Sequence, residues 1–466
     1  MLFNSYTFVC AFLPLALIGW WGLRRTRPRL MFLTLASYVF YAWWDWRFVP
    51  LVIASTGVDY VAGQAIHRSD DEHRRKLLLT AALTVNLTLL GYFKYVGFFL
   101  GSLHGIAGSV GWGSDVPVMH VLLPIGISFY TFNSMSYTID VFRRRVAPAQ
   151  SYLHYAAFVS MFPHLIAGPI VRYADIETQL RRLEPRLTAG LAASGAWFFT
   201  CGLFKKLIIA DTLGPYVNAQ FAASGGVHFV HAWLAAVGYS LQLYFDFSGY
   251  SDMAVGLAYL LGFRFPQNFD SPFKSPNIAD FWRRWHMSLS FWLRDYLFIP
   301  LGGSRNGRVK TLRNLLVTMF LGGLWHGAAW TFVIWGLLHG VYLVVHNVLR
   351  SAGLTPRSTV VNRAITFIAV VAAFVIFRAP DMATAGDILA GMAGLHGVEP
   401  LTGVRHLLTG RFGLEVAALL VFVNVAPNTW QIEVQPRAWQ GALVGVAAAV
   451  AFLSLAQPHP FIYYQF

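Results

Sequence analysis

A histidine in the middle of apolar sequence is the residue here best suited to chemistry. It lies in Leu321-Gly-Gly-Leu-Trp-His326-Gly-Ala-Ala-Trp330, next to Trp325 and flanked by Gly322, Gly323 and Gly327. An unperturbed imidazole titrates near about 6.5, so at neutral pH it can accept a proton, and His326 is the first candidate for a general base. The competing reading is a histidine that only hydrogen-bonds a neighbouring helix. Gly323 and Gly327 are spaced small-xxx-small, which lets another helix or a ligand approach the backbone closely. Ionisable residues at membrane depth are costly and point to function by default.

Three other clusters carry charge into or beside apolar sequence. In Asp280-Phe-Trp-Arg-Arg-Trp-His286-Met-Ser-Leu-Ser-Phe-Trp-Leu-Arg-Asp295, helical periodicity puts Trp282, Trp285, Leu289, Trp292, Leu293 and Tyr296 on one side. Arg283, Arg284, Arg294 and Asp295 fall opposite, and His286 lies at the edge. The spacing predicts one tryptophan-rich helix lying in the membrane interface, with His286 either functional or incidental. Asp246 and Asp252 lie six apart, so they share no face of an unbroken helix. A break at Gly249 brings both carboxylates to a polar interior, where they orient a histidine or arginine, or simply pair with the nearby arginines. The fourth cluster, with Arg305, Arg308, Lys310 and Arg313, either binds the phosphates of a nucleotide-type donor or marks a cytoplasmic loop.

The elements that must position these groups are membrane helices. Of 466 residues, 56% are hydrophobic and only 12% are charged, about half the charge of a soluble domain. That excludes water as the natural solvent for most of the chain. Length then predicts one transmembrane domain over residues 1–466, a bundle of roughly a dozen spans, with the catalytic region at about 160–345. The net charge of +14 predicts no nucleic-acid partner, because the basic residues sit in short clusters between apolar runs. Cys10 and Cys201 are far apart in apolar stretches and read as small hydrophobes.

Apolar runs at about 7–23, 30–44, 48–66, 77–101 and 117–142 read as the first five spans. Basic clusters follow the first (Arg24 to Arg29), the third (Arg68 to Lys76) and the fifth (Arg143 to Arg145). The excess of Lys and Arg in cytoplasmic loops places those loops inside and the N-terminus outside. Arg172, Arg181, Arg182 and Arg186 follow too soon for a full return crossing. The stretch 152–170, with Pro163, His164, Gly168 and Pro169, therefore reads as a re-entrant segment that needs protein or a water-filled cavity around it. Metal spacings such as His-x-x-x-His or Cys-x-x-Cys do not occur in the sequence. Neither does a Gly-x-Ser-x-Gly elbow, which argues for direct transfer over an acyl-enzyme.

Several long strings resemble the membrane-bound O-acyltransferases, and among them the bacterial subunits that acetylate alginate. They are Ala36-Ser-Tyr-Val-Phe-Tyr-Ala-Trp-Trp44, Leu122-Leu-Pro-Ile-Gly-Ile-Ser-Phe-Tyr-Thr-Phe132 and Phe162-Pro-His-Leu-Ile-Ala-Gly-Pro169. Gln242-Leu-Tyr-Phe-Asp-Phe-Ser-Gly-Tyr-Ser-Asp-Met253, Phe281-Trp-Arg-Arg-Trp-His286 and Gly322-Gly-Leu-Trp-His-Gly327 continue the match in order. The resemblance implies an all-α polytopic bundle, with re-entrant and interfacial helices around a central chamber. The family's essential histidine falls on His326 and its second histidine on His286, while Asp246, Asp252 and Trp325 support them. Together with the basic interfacial region, this leads to the expectation of acetyl-coenzyme A as donor substrate, its headgroup held by Arg283, Arg284 and Arg305, with no bound cofactor or metal. The implied setting is the bacterial inner membrane, with the lipid bilayer, a separate periplasmic acetyltransferase of the SGNH-hydrolase-like type and an exported exopolysaccharide as partners. Acetylation of cellulose or peptidoglycan, D-alanyl transfer to teichoic acid, and a non-catalytic transporter or scaffold are the alternatives.

Overall fold

A computed structural model describes residues 1–109, 121–223, 226–435, 437–456 and 460–462. Among the described residues every regular element is helical. Rows of large apolar side chains face outward, such as Ile18, Val39, Trp43, Val61 and Leu77, as lipid-facing helices require. Cys10 is exposed among them. The protein is a multi-pass membrane protein.

Among the described residues, five helical stretches are long and apolar enough to cross a membrane: Thr26–Arg68, Glu72–Ser109, Ala189–Phe221, Trp330–Ser351 and Thr359–Arg378. A sixth forms if Leu401–Thr409 and Arg411–Val425, bent by 62°, are counted as one span. By length and composition alone, several of the other apolar runs among the described residues fold as helices too short or too polar to count. Thr7–Gly22 falls short of 18 residues, Ile127–Phe142 has 16, and Phe229–Leu260 carries Gln242, Asp246 and Asp252. The runs 30–44 and 48–66 form one 43-residue helical stretch, with a 3₁₀ turn at Trp46–Phe48. Of the run 117–142, residues 117–120 lie outside the described residues.

The chain divides into two compact units. The first comprises Met1–Phe199, Met253–Pro266 and Gln435–Arg437. Phe8, Phe40 and Phe162 cluster at its centre, with ring centroids 5.7–6.3 Å apart. The stretch read as re-entrant lies in this unit. Its helix Tyr152–Ser160 breaks at Met161, resumes for four residues at Phe162–Leu165, and then runs as irregular backbone. Residues 155–171 are buried, so irregular backbone is wrapped in protein there, as apolar surroundings demand.

The second unit comprises Thr200–Asp252, Gln267–Val434 and Ala438–Phe466, and it holds all the candidate site residues. Its frame is the antiparallel-packed pair Arg308–His326 and Trp330–Ser351, joined by a three-residue turn. Glycine sets their closeness. A Cβ on Gly323 would meet the Phe332 carbonyl oxygen at 2.4 Å and the Gly336 Cα at 2.9 Å. The small-residue reading of this motif therefore holds at Gly323, whose partner is the next helix. Gly327 lies just past the helix end and is tight against the Phe332 ring instead.

Candidate active site

His326 is the last residue of its helix and is 5% exposed. Trp325, Trp335 and Phe377 surround it, with ring centroids 5.1, 5.0 and 5.3 Å away. The His286 ring lies 6.4 Å from that of His326 and 5.9 Å from that of Trp325. Two histidines forty residues apart in sequence thus meet among packed aromatic side chains.

His286 does not lie on a continuous interfacial helix. Helix Ile278–Arg284 ends, Trp285 is extended, His286 turns left-handed at φ +44°, and a new helix starts at Met287–Leu293. Asn268 holds this break. Its carbonyl accepts the Met287 N–H at 2.9 Å, and its side chain accepts from the Ser288 N–H and hydroxyl while donating to Ser251. A left-handed non-glycine residue costs about 1–3 kcal/mol, and such residues cluster at functional sites. The turn sends the imidazole inward, where it is fully buried and neither ring nitrogen has a hydrogen-bond partner. Burial lowers its pKa to about 3, so His286 is neutral at physiological pH. Phe247 packs on it at 4.6 Å.

The two aspartates have other partners than those expected. Helix Phe229–Leu260 runs unbroken through Gly249, because Gly249 serves close packing: a Cβ there would meet the Gly202 carbonyl oxygen at 2.7 Å. Asp246 pairs with Lys206 at 2.6 Å and accepts the Ile462 N–H at 3.0 Å. Asp252 pairs with Lys205 at 2.6 Å and accepts from Thr429. Their partners are lysines, not arginines or histidines, and both pairs lie inside the protein.

The three arginines separate. Arg283 lines a cavity of about 820 Å³ between the helices Ile278–Arg284, Trp330–Ser351 and Thr359–Arg378, with His346 and Arg350 as its other basic residues and Val341, Val345 and Ile365 as apolar wall. Arg284 is held by Asp280 at 2.7 Å and Asp270 at 3.4 Å. Arg305 is exposed on the loop before Arg308–His326. The cavity wall continues toward the histidines along one helix face, because its Tyr342 ring touches His339, 5.7 Å away, and His339 touches Trp335. No cluster of three or more metal-ligating side chains occurs among the described residues.

The sequence model of the membrane-bound O-acyltransferase (MBOAT) family matches residues 127–383. The chain belongs to this family. Its relatives include a probable alginate O-acetylase of Azotobacter vinelandii, 46% identical over 84% of this chain and 78% of that protein. Another, of Pseudomonas putida, is 40% identical over the full length of both chains. A peptidoglycan O-acetyltransferase of Helicobacter pylori is 39% identical over 86% of this chain and 81% of its own.

The region matched by the acyltransferase family includes His286, His326, both aspartates and all three arginines. It also contains residues that sequence reading passed over. Lys205 and Lys206 neutralise the aspartates, and His339 is fully buried beside Trp282 and Trp335. His339 was signalled like His326, as an ionisable residue inside the apolar run 333–349. The lysines sit at the end of another apolar run, where they resemble topology determinants.

Proposed function

We propose that this O-acyltransferase carries acetyl groups from cytoplasmic acetyl-coenzyme A across the bacterial inner membrane for O-acetylation of an exported polysaccharide, with alginate as the polymer. The carrying observation is the meeting of buried His326 and His286 in an acyltransferase chain whose relatives bear alginate O-acetylase names along its whole length. Basic loops after the first, third and fifth apolar runs support a periplasmic N-terminus. Arg283 and Arg350, which line the cavity of about 820 Å³, take the donor's phosphates, since guanidinium groups suit phosphate recognition. Arg284, paired with Asp280 and Asp270, and Arg305, on a separate loop, do not line that cavity.

In the transfer step the acceptor hydroxyl oxygen attacks the thioester carbon, and His326 takes the hydroxyl proton. The carbon–sulfur bond then breaks, and the departing thiolate receives that proton, giving ester and free thiol. General-base catalysis of this kind contributes about 10²–10⁴-fold. His286, neutral and unpartnered, offers one nitrogen to donor or acceptor. A separate periplasmic acetyltransferase of the SGNH-hydrolase-like type passes the acetyl group to the polymer. Peptidoglycan as acceptor is the second reading, favoured by the similarity to the Helicobacter pylori enzyme.

The test is transfer from radiolabelled acetyl-coenzyme A by purified protein in liposomes, comparing wild type with His326→Ala and adding or omitting the periplasmic partner. Label that depends on His326 and reaches alginate supports the reading. Full activity in His326→Ala, at normal membrane level, overturns the assignment of the base.

A further inference from the structure

Two buried donors beside His326 have nothing to bond. Trp335 and His339 lie four residues apart on one face of helix Trp330–Ser351, 1% and 0% exposed. Their rings are in contact, 4.7 Å between centroids, and Trp335 in turn touches His326 at 5.0 Å. Neither the Trp335 indole nitrogen nor His339 Nε2 has a hydrogen-bond partner. The tautomer of His339 follows from its other nitrogen. Trp282 Nε1 contacts His339 Nδ1 at 3.3 Å, and an indole nitrogen can only donate. Nδ1 is therefore the acceptor, and the neutral ring carries its proton on Nε2.

We propose that Trp335 Nε1–H and His339 Nε2–H receive the carbonyl oxygen of the acyl group during transfer. This rests on His326 as the base of the reaction. Buried polar groups are normally satisfied, and an unsatisfied pair of N–H donors in aromatic surroundings calls for an acceptor that brings no proton of its own. The thioester carbonyl is such an acceptor, and in a site built around His326 it must lie close to that ring. As the hydroxyl oxygen bonds to the thioester carbon, the carbonyl electron pair moves onto oxygen and the hydroxyl proton moves to His326. Charge then appears on that oxygen, the acceptor offered to both N–H groups, and it disappears when the carbon–sulfur bond breaks and the thiolate takes the proton back. Donors fixed before the reaction stabilise such charge without reorganising. Trp282 keeps His339 in the donating tautomer and so acts as a positioning residue.

Trp335→Phe removes one N–H and keeps a single aromatic ring, at some loss of core volume, while His339→Gln keeps both an acceptor for Trp282 and an N–H for the site. Each is assayed in liposomes with acetyl-coenzyme A beside His339→Leu and His326→Ala, with thermal melting recorded for all. Trp335→Phe and His339→Leu should lower kcat roughly 10²-fold, with KM for acetyl-coenzyme A within about twofold of wild type. His339→Gln should recover most of that loss, and kcat of Trp335→Phe should stay low at assay temperatures well below its melting temperature, which the lost core volume lowers. Wild-type kcat in Trp335→Phe would mean that its N–H binds only water, and it would overturn the proposal. A loss of kcat that merely tracks a lower melting temperature would overturn it too. If His326→Ala alone loses activity, this inference fails while the base assignment stands; if His326→Ala stays active, the assignment of the base fails first.

Discussion

A single methyl group at Gly323 should separate catalysis from folding. The Cβ of Gly323→Ala would sit 2.4 Å from the Phe332 carbonyl oxygen and 2.9 Å from the Gly336 Cα. Both are backbone atoms, so no side chain can swing away. To reach an ordinary contact of 3.4 Å, the two helices must part by about 1 Å. Overpacking of this kind costs about 1–3 kcal/mol, partly offset by the roughly 1 kcal/mol that alanine gains over glycine in a helix. Its effect on chemistry is larger. His326 lies one turn further along the same helix, and Trp335 is the neighbour of Gly336. A 1 Å misplacement costs on the order of 10²-fold in rate. Gly322→Ala is the control, because its Cβ meets only the end of the Leu293 side chain, at 3.2 Å. The assay is kcat for acetyl transfer in liposomes, with melting in detergent and membrane level measured for both variants. Gly323→Ala should remain in the membrane, melt only slightly lower and lose about 10²-fold in kcat, while Gly322→Ala stays near wild type. Equal kcat in the two variants would refute the idea that backbone contact between these helices sets the site.

Lys206→Met should destabilise by about 3–5 kcal/mol, because it strands the buried Asp246 and also deprives Asp211 of its partner at 2.8 Å. Asp246→Asn, which still accepts from Lys206 and the Ile462 N–H, should melt closer to wild type; equal losses would argue against a buried ion pair. His286, held near pKa 3 by burial, should leave the pH–rate profile between about 5 and 8 unchanged in shape in His286→Asn, although kcat falls. A displaced acid limb in that variant would assign the limb to His286 after all. The same group contributes stability that is present above its unfolded value, about 6.5, and is lost as pH falls toward 3, by up to about 1.4 kcal/mol per pH unit. Melting of His286→Asn should accordingly fall less between pH 7 and pH 4 than that of wild type.

Local sequence carried the membrane class, the acyltransferase family and His326. Each of these is written within a few residues or in bulk composition: apolar runs of helical length, basic clusters between them, and one imidazole inside Gly-Gly-Leu-Trp-His-Gly. The broken stretch 152–170 was also legible, since Pro163, Gly168 and Pro169 are local breakers. The number of crossings was less so, because an apolar run indicates where helix forms and not how long it stays straight or how polar its buried face becomes.

Tertiary structure alone decided which residues meet. Helical periodicity predicted one helix over 280–296, yet Asn268, eighteen residues upstream of His286, holds a turn that ends the first helix and aims His286 inward. Gly249 suggested a helix break, but the helix is continuous and the glycine makes room for Gly202. The partners of Asp246 and Asp252 are lysines about forty residues earlier, and Trp282 finds His339 across fifty-seven residues of chain. The physical reason is the same in each case. A sequence pattern fixes the faces of one element, whereas charge pairing, tautomer and the shape of a site depend on distances between elements that only packing sets.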